Sequence, residues 1–334
     1  MGASSRGASH MFKLANLKSS HRGRNASKPT KIPFAGWWDI TSRLHKKLQQ
    51  DNTSILSAGV AFYAVLAVFP ALAAIVTLYA LVANPDNIQN HLKAVSGFIP
   101  EEVILIFSDQ VGSIAAANET LGLSFIAGLL VATWSAHRGV DALVRAITVA
   151  YLEKETRGII RRNVITYLLT IGAVLCTVFI LTLMIGIPAL FVTLKLPHWI
   201  TVMTGIGVWI LFLSVAILAI SILYRFGPPR RPANWRWLSP GAMAATLLWL
   251  CGSAGFSYYV SQFGTYNETY GALSAIVVLL IWFYLTSYAI VLGASLNAEI
   301  EHQTRHDTTV GDQRPMGQRD AYVADHLGQS ATDS

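Results

Sequence analysis

The feature that most constrains this chain is a set of long stretches without aspartate, glutamate, lysine or arginine. A helix needs about 20 predominantly apolar residues to cross the hydrocarbon core of a bilayer. Five uncharged stretches exceed that length: Asn52–Pro85, Asn163–Leu194, Leu196–Tyr224, Trp237–Asn267 and Thr269–Ala298. This pattern predicts an integral membrane protein built from helices.

A sixth uncharged stretch, Thr120–Ala136, is shorter, but it continues through His137 and Arg138 into a helix-like segment that ends near Tyr151. We therefore predict an all-α integral membrane protein, a bundle of six transmembrane helices near residues 55–83, 121–145, 164–191, 200–224, 241–262 and 272–296. Only 13% of the 334 residues are charged, whereas an ordinary soluble domain has about 25%. That shortage argues against a cytosolic enzyme, a collagen-like fibre and a wholly disordered chain.

Lysine and arginine are distributed unevenly between the two sets of connections. The segment before Asp51 carries ten of them, and the loops Glu153–Arg162 and Arg225–Arg236 carry four each. The opposite connections carry only Lys93 and Lys195. Because basic loops remain on the cytoplasmic side, we expect both termini to be cytoplasmic.

The two ends of the chain are polar. Residues 1–36 are basic and rich in Ser and Gly, without the apolar core of a secretory signal peptide, and residues 303–334 have mixed charge. We expect both to be disordered tails flanking a membrane domain at 37–302. Anionic membrane lipid is the expected partner of the basic tail; a nucleic-acid arm is less favoured, because the tail nearly lacks aromatic residues for base stacking.

Two further segments are amphipathic but too short to span. In Trp37–Gln50, apolar residues recur at helical spacing beside basic ones, which predicts a helix lying on the cytoplasmic leaflet; its stripe is Trp37, Ile40, Leu44 and Leu48. In Asn84–Asn118, two such stripes separated by Pro100 predict two helices on the outer face, with a plain loop as the alternative.

The clearest candidate site is a charged cluster on the second span: His137, Arg138, Asp141 and Arg145. Asp141 follows Arg138 by three residues and precedes Arg145 by four, so the three can share a helix face. A rise of about 1.5 Å per residue places His137 near the inner boundary, which favours an interfacial salt-bridge ladder. The alternative is a polar entrance for the anionic head group of an amphiphilic substrate.

Two prolines mark candidate helix breaks, Pro70 in the first span and Pro188 near the outer end of the third. Each can free a backbone carbonyl toward a cavity, although a simple kink is more common. Asn297 and Glu299 follow the last span as a polar edge with no partner evident from sequence.

Enzyme signatures are absent from the sequence. It has no HExxH, no GxSxG and no GxxxxGK[ST] motif, and both cysteines, Cys176 and Cys251, lie within apolar runs. We therefore expect no catalytic site, no cofactor, no metal and no disulfide.

Several strings nevertheless resemble a known family. The first span from Asp51 to Pro70 resembles the opening motif of the YihY/BrkB family of bacterial inner-membrane proteins. Further matching strings are Trp134–Gly139, Leu223–Pro229, Trp235–Gly241, Tyr266–Gly271 and Leu292–Glu299, so the resemblance covers about residues 37–302. One departure is Ser295, where the family's motif usually has Glu.

The resemblance implies a six-helix inner-membrane protein and little chemistry. Members have carried a ribonuclease BN label and a virulence label, but these residues offer neither a metal-activated water nor a basic RNA groove, so we do not expect ribonuclease activity. The leading hypothesis is a transporter or flippase of a lipid or other amphiphile. The alternative is a non-transporting scaffold or regulator of the cell envelope.

Overall fold

The computed structural model describes residues 22–82, 121–194, 198–262 and 272–330. These residues form seven helices of 17 residues or more and one short helix near the C-terminus. They are α1 (Phe34–Gln50), α2 (Thr53–Val82), α3 (Leu121–Ala150), α4 (Ile159–Leu194), α5 (His198–Phe226), α6 (Trp235–Gln262), α7 (Ala272–Glu301) and α8 (Tyr322–Asp325). The predicted outer-face helices of Asn84–Asn118 lie outside the described residues.

Five of these helices are long and apolar enough to cross a membrane, and their candidate spans are Thr53–Ala71, Ile159–Ile180, Val202–Phe226, Trp235–Ser261 and Ile276–Glu301. The predicted all-helical architecture is therefore confirmed for the described residues, whereas the predicted bounds of the spans stay a prediction. Helix α3 covers the predicted second span but is absent from this set of spans. The count of six spans stays a prediction.

The chain divides into two compact units, which are described separately. The main unit comprises Met1–Gly59 and Val140–Ser334, and the second comprises Val60–Gly139. The core of the main unit joins α3, α5, α6 and α7 around fully buried side chains that include Tyr151, Tyr224, Leu238 and Val291.

Helices α6 and α7 approach each other closely at two glycines. A Cβ atom on Gly241 would overlap the carbonyl oxygen of Gly293, and one on Gly293 would overlap the carbonyl oxygen of Gly241. Small residues of this kind allow helix backbones to meet without a hydrophobic driving force in lipid. The contact brings the polar C-terminal half of α7 against the start of α6.

Helix α1 packs on protein through the stripe that was predicted to meet lipid. Ile40 is fully buried in a cluster with Ile300 and Trp237, and Trp37 is partly buried against the same cluster. The leaflet-lying prediction is therefore wrong for this stripe. Amphipathic spacing shows that one face is buried but does not distinguish a protein surface from a lipid surface.

The expectation of disordered tails is corrected for residues 22–33 and 303–330, which are packed. Together with the loops 151–158 and 227–234 they form a layer that we call the polar cap. Its isolated antiparallel bridge joins Ala233 to Thr309, and the guanidinium of Arg319 donates to the carbonyls of Arg305, His306 and Ala324. The polar composition predicted disorder because composition alone does not show that these side chains and backbone groups form hydrogen bonds with one another.

Candidate functional site

Asp141 is the centre of the predicted charged cluster. Its carboxylate is nearly buried at 5% exposure, and Arg145, one turn later on α3, donates from Nε to Oδ2 at 2.9 Å. Arg162, in the first turn of α4, places Nη2 3.3 Å from each carboxylate oxygen. The structure therefore brings Asp141 and Arg145 together as predicted and adds Arg162. We call these three residues the Asp141 cluster.

The Asp141 cluster has more positive than negative charge. One carboxylate is shared by two guanidiniums, and the side chain of Arg145 is 56% exposed. Solvent-exposed ion pairs contribute little to stability, about 0–1 kcal/mol. Arg145 is therefore held in place by Asp141 while part of its guanidinium remains accessible to an anion.

A second ion pair lies beside the Asp141 cluster. Arg157 binds Glu155 through Nε at 2.8 Å and also donates to the carbonyl of Gly227 at 2.9 Å. The hydrogen bond from Arg157 lowers the pKa of Glu155, and the positive charge of Arg162 adds to the effect. These contacts attach the start of α4 to the end of α5.

The other two predicted site residues, His137 and Arg138, belong to the second unit. His137 is buried at 8% exposure, whereas Arg138 is exposed and holds its guanidinium 5.4 Å from the ring centroid of Trp134. A cation over a tryptophan face at an exposed position contributes about 0.5–1 kcal/mol. Both residues are therefore described within the second unit only.

The polar edge after the last span has specific partners. Asn297 accepts a hydrogen bond from the backbone N–H of Gly241 at 2.7 Å and donates to the carbonyl of Leu238 at 2.9 Å. The interior position of Pro240 in α6 leaves helical backbone groups without their usual partners. The side chain of Asn297 therefore bonds α7 to two backbone groups of α6, beside the contact of Gly241 with Gly293.

The carboxylates at the end of α7 bind arginines from distant segments. Glu299 accepts from Nε of Arg43 at 2.6 Å, which fastens α1. Glu301 forms a two-pronged pair with Arg230 at 2.7 and 3.2 Å and accepts the hydroxyl of Thr308 at 2.6 Å. We call Arg230, Glu301 and Thr308 the Glu301 cluster.

The Glu301 cluster is enclosed by protein. The side chains of Arg230 and Glu301 are 2% and 0% exposed, and Arg230 lies over the ring of Tyr151 at 4.9 Å. Burial alone would lower the pKa of Arg230, but the charge and hydrogen bonds of Glu301 raise it above its ordinary value. The guanidinium of Arg230 is thus bonded to Glu301 inside the protein, where neither side chain is accessible to a ligand.

Sequence reasoning missed Arg162 and Arg230 as partners of these carboxylates. Both had been counted only as basic loop residues that set the orientation. The two contacts join positions 21 and 71 residues apart, so no helical spacing could have identified them. The single available signal was the density of arginine in the two loops.

Both predicted helix breaks lie within continuous helices. Pro70 is inside α2, and position 188 falls within the bounds of α4. Neither proline ends its helix, and the backbone carbonyl that each would free stays a prediction. Ser295, the departure from the family's motif, is fully buried, and its hydroxyl has no hydrogen-bond partner among the described residues.

Long apolar helices joined by basic loops, together with the packed polar cap of the main unit, define a multi-pass helical membrane protein. Comparison with known proteins then identifies the family. The protein family described as Virulence factor BrkB matches residues 44–317 of this chain, and the chain belongs to this family. The resemblance inferred from the sequence motifs is confirmed.

Two relatives indicate how far the similarity extends. The ribonuclease-like protein YfkH of Bacillus subtilis is 31% identical over 256 residues, which cover 72% of this chain and 88% of that protein. A UPF0761 membrane protein of Tolumonas auensis is 24% identical over 265 residues, covering 76% and 83% respectively. No solved structure matches the chain.

Proposed function

We propose that this membrane protein moves an amphiphile with an anionic head group across the bilayer, as a transporter or flippase of the bacterial inner membrane. The observation that supports the proposal is the excess positive charge of the Asp141 cluster, with Arg145 half-exposed beside a membrane-spanning helix. A guanidinium in this position would attract a phosphate or carboxylate head group, while the acyl chains stay in contact with apolar helix surfaces.

The proposal is tested with purified protein in liposomes that carry fluorescent phospholipids of several head groups. We expect faster exchange of an anionic lipid between leaflets than in protein-free vesicles. The Arg138→Gln/Arg145→Gln variant should lose most of this rate, because both cations are exposed and their removal leaves the fold intact. The matched control is Arg314→Gln, which removes an exposed cation of the polar cap.

Two outcomes would overturn the proposal. One is the absence of movement of any lipid or amphiphile across a broad panel. The other is a normally inserted double variant that retains the wild-type rate, which would leave the Asp141 cluster as an interfacial anchor only.

The second candidate is a scaffold or regulator without transport activity, and the packed polar cap favours it. The cap buries Gln303, Thr308 and Val323 completely, which gives the chain an ordered surface outside the bilayer. If liposomes show no transport while alanine substitution of Asp312, Gln313 and Met316, which are exposed residues of the cap, abolishes a cellular phenotype at normal protein abundance, this candidate is preferred.

We further propose that both termini are cytoplasmic and that the chain is not an enzyme. The basic loops support the orientation, and a cysteine at Asn267 should react with an impermeant thiol reagent in intact cells whereas one at Gln313 should not. The name of YfkH refers to ribonuclease activity only for that relative. Degradation of RNA by purified protein that is free of contaminating nuclease would contradict the proposal that the chain is not an enzyme.

A further inference from the structure

The loop between α3 and α4, together with the first residues of α4, combines exposed apolar side chains with exposed cations. We call residues 152–162 the basic–apolar loop. Ile159 and Ile160 are 77% and 81% exposed, among the highest values for large apolar side chains in the described residues, and Leu152 is 38% exposed. Isolated exposed apolar residues are ordinary, but a group of them next to basic residues marks a contact surface.

The apolar side of this loop continues the outer surface of a membrane-spanning helix. Beyond Ile160, exposed apolar side chains recur along α4 at helical spacing, at Val164, Leu168, Ile171 and Leu175. The opposite side of the helix carries the buried Thr166 and Thr170. Since Ile159–Ile180 is long and apolar enough to span, this stripe faces lipid, and Ile160 is its end at the membrane boundary.

The charges of the loop are unevenly matched. Arg157 and Arg162 have acidic partners, whereas Lys154 and Arg161 are exposed and form no ion pair among the described residues. Arg161 lies seven residues before Leu168, which places both on one face of α4. Its guanidinium therefore lies at the polar end of the lipid-facing stripe, where lipid phosphates are found.

The backbone supports the same interpretation at Leu152. Its φ of +57° is left-handed, and the N–H of Glu153 bonds to the carbonyl of Thr148, which closes α3 in the manner of a Schellman motif. Glycine is the usual residue at this position because a side chain is disfavoured there. A strained backbone conformation of this kind marks Leu152 as a candidate functional position, and its exposed side chain is open to a contact from outside the protein.

We propose that the basic–apolar loop is a binding site for anionic phospholipid. Ile159, Ile160 and Leu152 lie among the upper acyl-chain carbons, and Lys154 and Arg161 bind the phosphate and the anionic head group. The site binds lipid as a partner that anchors the start of α4, and the inference does not rest on the proposed transport activity.

The first test measures association of spin-labelled phosphatidylglycerol and spin-labelled phosphatidylcholine with the full-length protein in phosphatidylcholine vesicles. One basic residue near an anionic lipid surface accounts for about a fivefold preference. We therefore expect the wild type to prefer phosphatidylglycerol severalfold and Lys154→Gln/Arg161→Gln to reduce the ratio toward one. The matched control, Lys46→Gln/Arg305→Gln, removes two exposed cations elsewhere and should keep the preference.

Unchanged selectivity in the loop variant, or equal loss in the control, would overturn the proposal. The second test places a spin label at Ile160→Cys in a chain whose Cys176 and Cys251 are replaced by alanine. We expect oxygen, which dissolves in lipid, to relax this spin label more strongly than a water-soluble nickel complex does. A label that is open to nickel, or immobilised against another protein copy, would assign the loop to water or to a protein partner instead.

Discussion

The Glu301 cluster and the Asp141 cluster use the same chemistry in different surroundings. In both, a carboxylate in the C-terminal part of a long helix binds an arginine from outside that helix, Arg162 at the start of α4 in one case and Arg230 in the loop after α5 in the other. Arg230 and Glu301 are almost completely buried, whereas Arg145 of the Asp141 cluster is more than half exposed. Burial therefore separates a cluster that holds segments together from one that retains charge for a ligand.

This comparison also explains why the buried pair is fully bonded. Removing a charged group from water costs several kcal/mol, and only a close partner with further hydrogen bonds offsets that cost. Glu301 has the two bonds from Arg230 and a third from Thr308. In the Asp141 cluster, water solvates Arg145, so its geometry is less constrained.

The largest expected effect is loss of the buried arginine. Arg230→Met leaves the carboxylate of Glu301 buried without a countercharge, and removing one member of such a pair costs about 3–5 kcal/mol. We expect a marked fall in the unfolding midpoint of the detergent-solubilised protein and faster proteolysis of residues 303–330.

The double variant Arg230→Met/Glu301→Gln serves as the control, because it removes both charges and should recover much of the loss. If the single variant is as stable as the wild type, the Glu301 cluster does not hold the polar cap, and the distinction between the two clusters fails.

The next effect concerns Asp307, which joins two segments of the polar cap through an ion pair with Arg231 at 3.7 Å. Burial would raise the pKa of Asp307, but hydrogen bonds from the backbone N–H groups of Arg314 and Thr309 and from the Thr309 hydroxyl lower it below the ordinary value of 3.8. A lowered folded-state pKa means that this carboxylate stabilises the fold above pH 3.8, and that the contribution disappears as the pH falls further.

We therefore expect resistance of the C-terminal segment to pepsin to decrease as the pH is lowered from about 4 to 2. Asp307→Asn should cost about 1–2 kcal/mol at neutral pH and should remove this part of the pH dependence. Glu153 provides a contrast, since burial raises its pKa and its contribution decreases as the pH rises through that value. An identical acid response in Asp307→Asn and wild type would contradict the assignment.

The helices could be predicted from sequence because the physical requirement is local. An apolar stretch without charge must satisfy its own backbone, and the uncharged stretch Asn163–Leu194 accordingly lies within α4. The polar parts could not be predicted in the same way. Residues 303–330 have no apolar periodicity, and their order comes from distant groups such as Arg24, which donates to the carbonyl of Gly328.

The candidate site was predictable only in part for the same reason. Asp141 and Arg145 are four residues apart on one helix, so their contact follows from helical geometry. Arg162 reaches Asp141 from another helix, and a single sequence has no information on which basic residue of a loop will do so. The amphipathic stripe of α1 shows the converse, a correct helix assigned to the wrong surface.

A smaller effect is expected at the exposed cluster. Asp141→Asn removes the charge shared by Arg145 and Arg162, and we expect a loss of about 1 kcal/mol because at least one of the arginines remains hydrated. The measurement is the unfolding midpoint at low and at 0.5 M salt, compared with Arg230→Met. Salt should diminish the difference from wild type at Asp141, whereas a salt-insensitive loss as large as that of Arg230→Met would show that both clusters are structural.

The smallest effect concerns Leu152, where the prediction is a gain. Leu152→Gly removes the side chain from a left-handed residue and should stabilise the detergent-solubilised protein by about 0.5–1 kcal/mol, since a left-handed conformation costs an L-residue about 1–2 kcal/mol and the more flexible unfolded glycine offsets part of this. Leu152→Ala is the control, because alanine also removes the exposed apolar surface but keeps the strain. An equal gain in both variants would show that the effect comes from the exposed apolar surface and not from the left-handed backbone. The pair of variants thus tells the backbone strain of Leu152 apart from the lipid contact proposed for the basic–apolar loop.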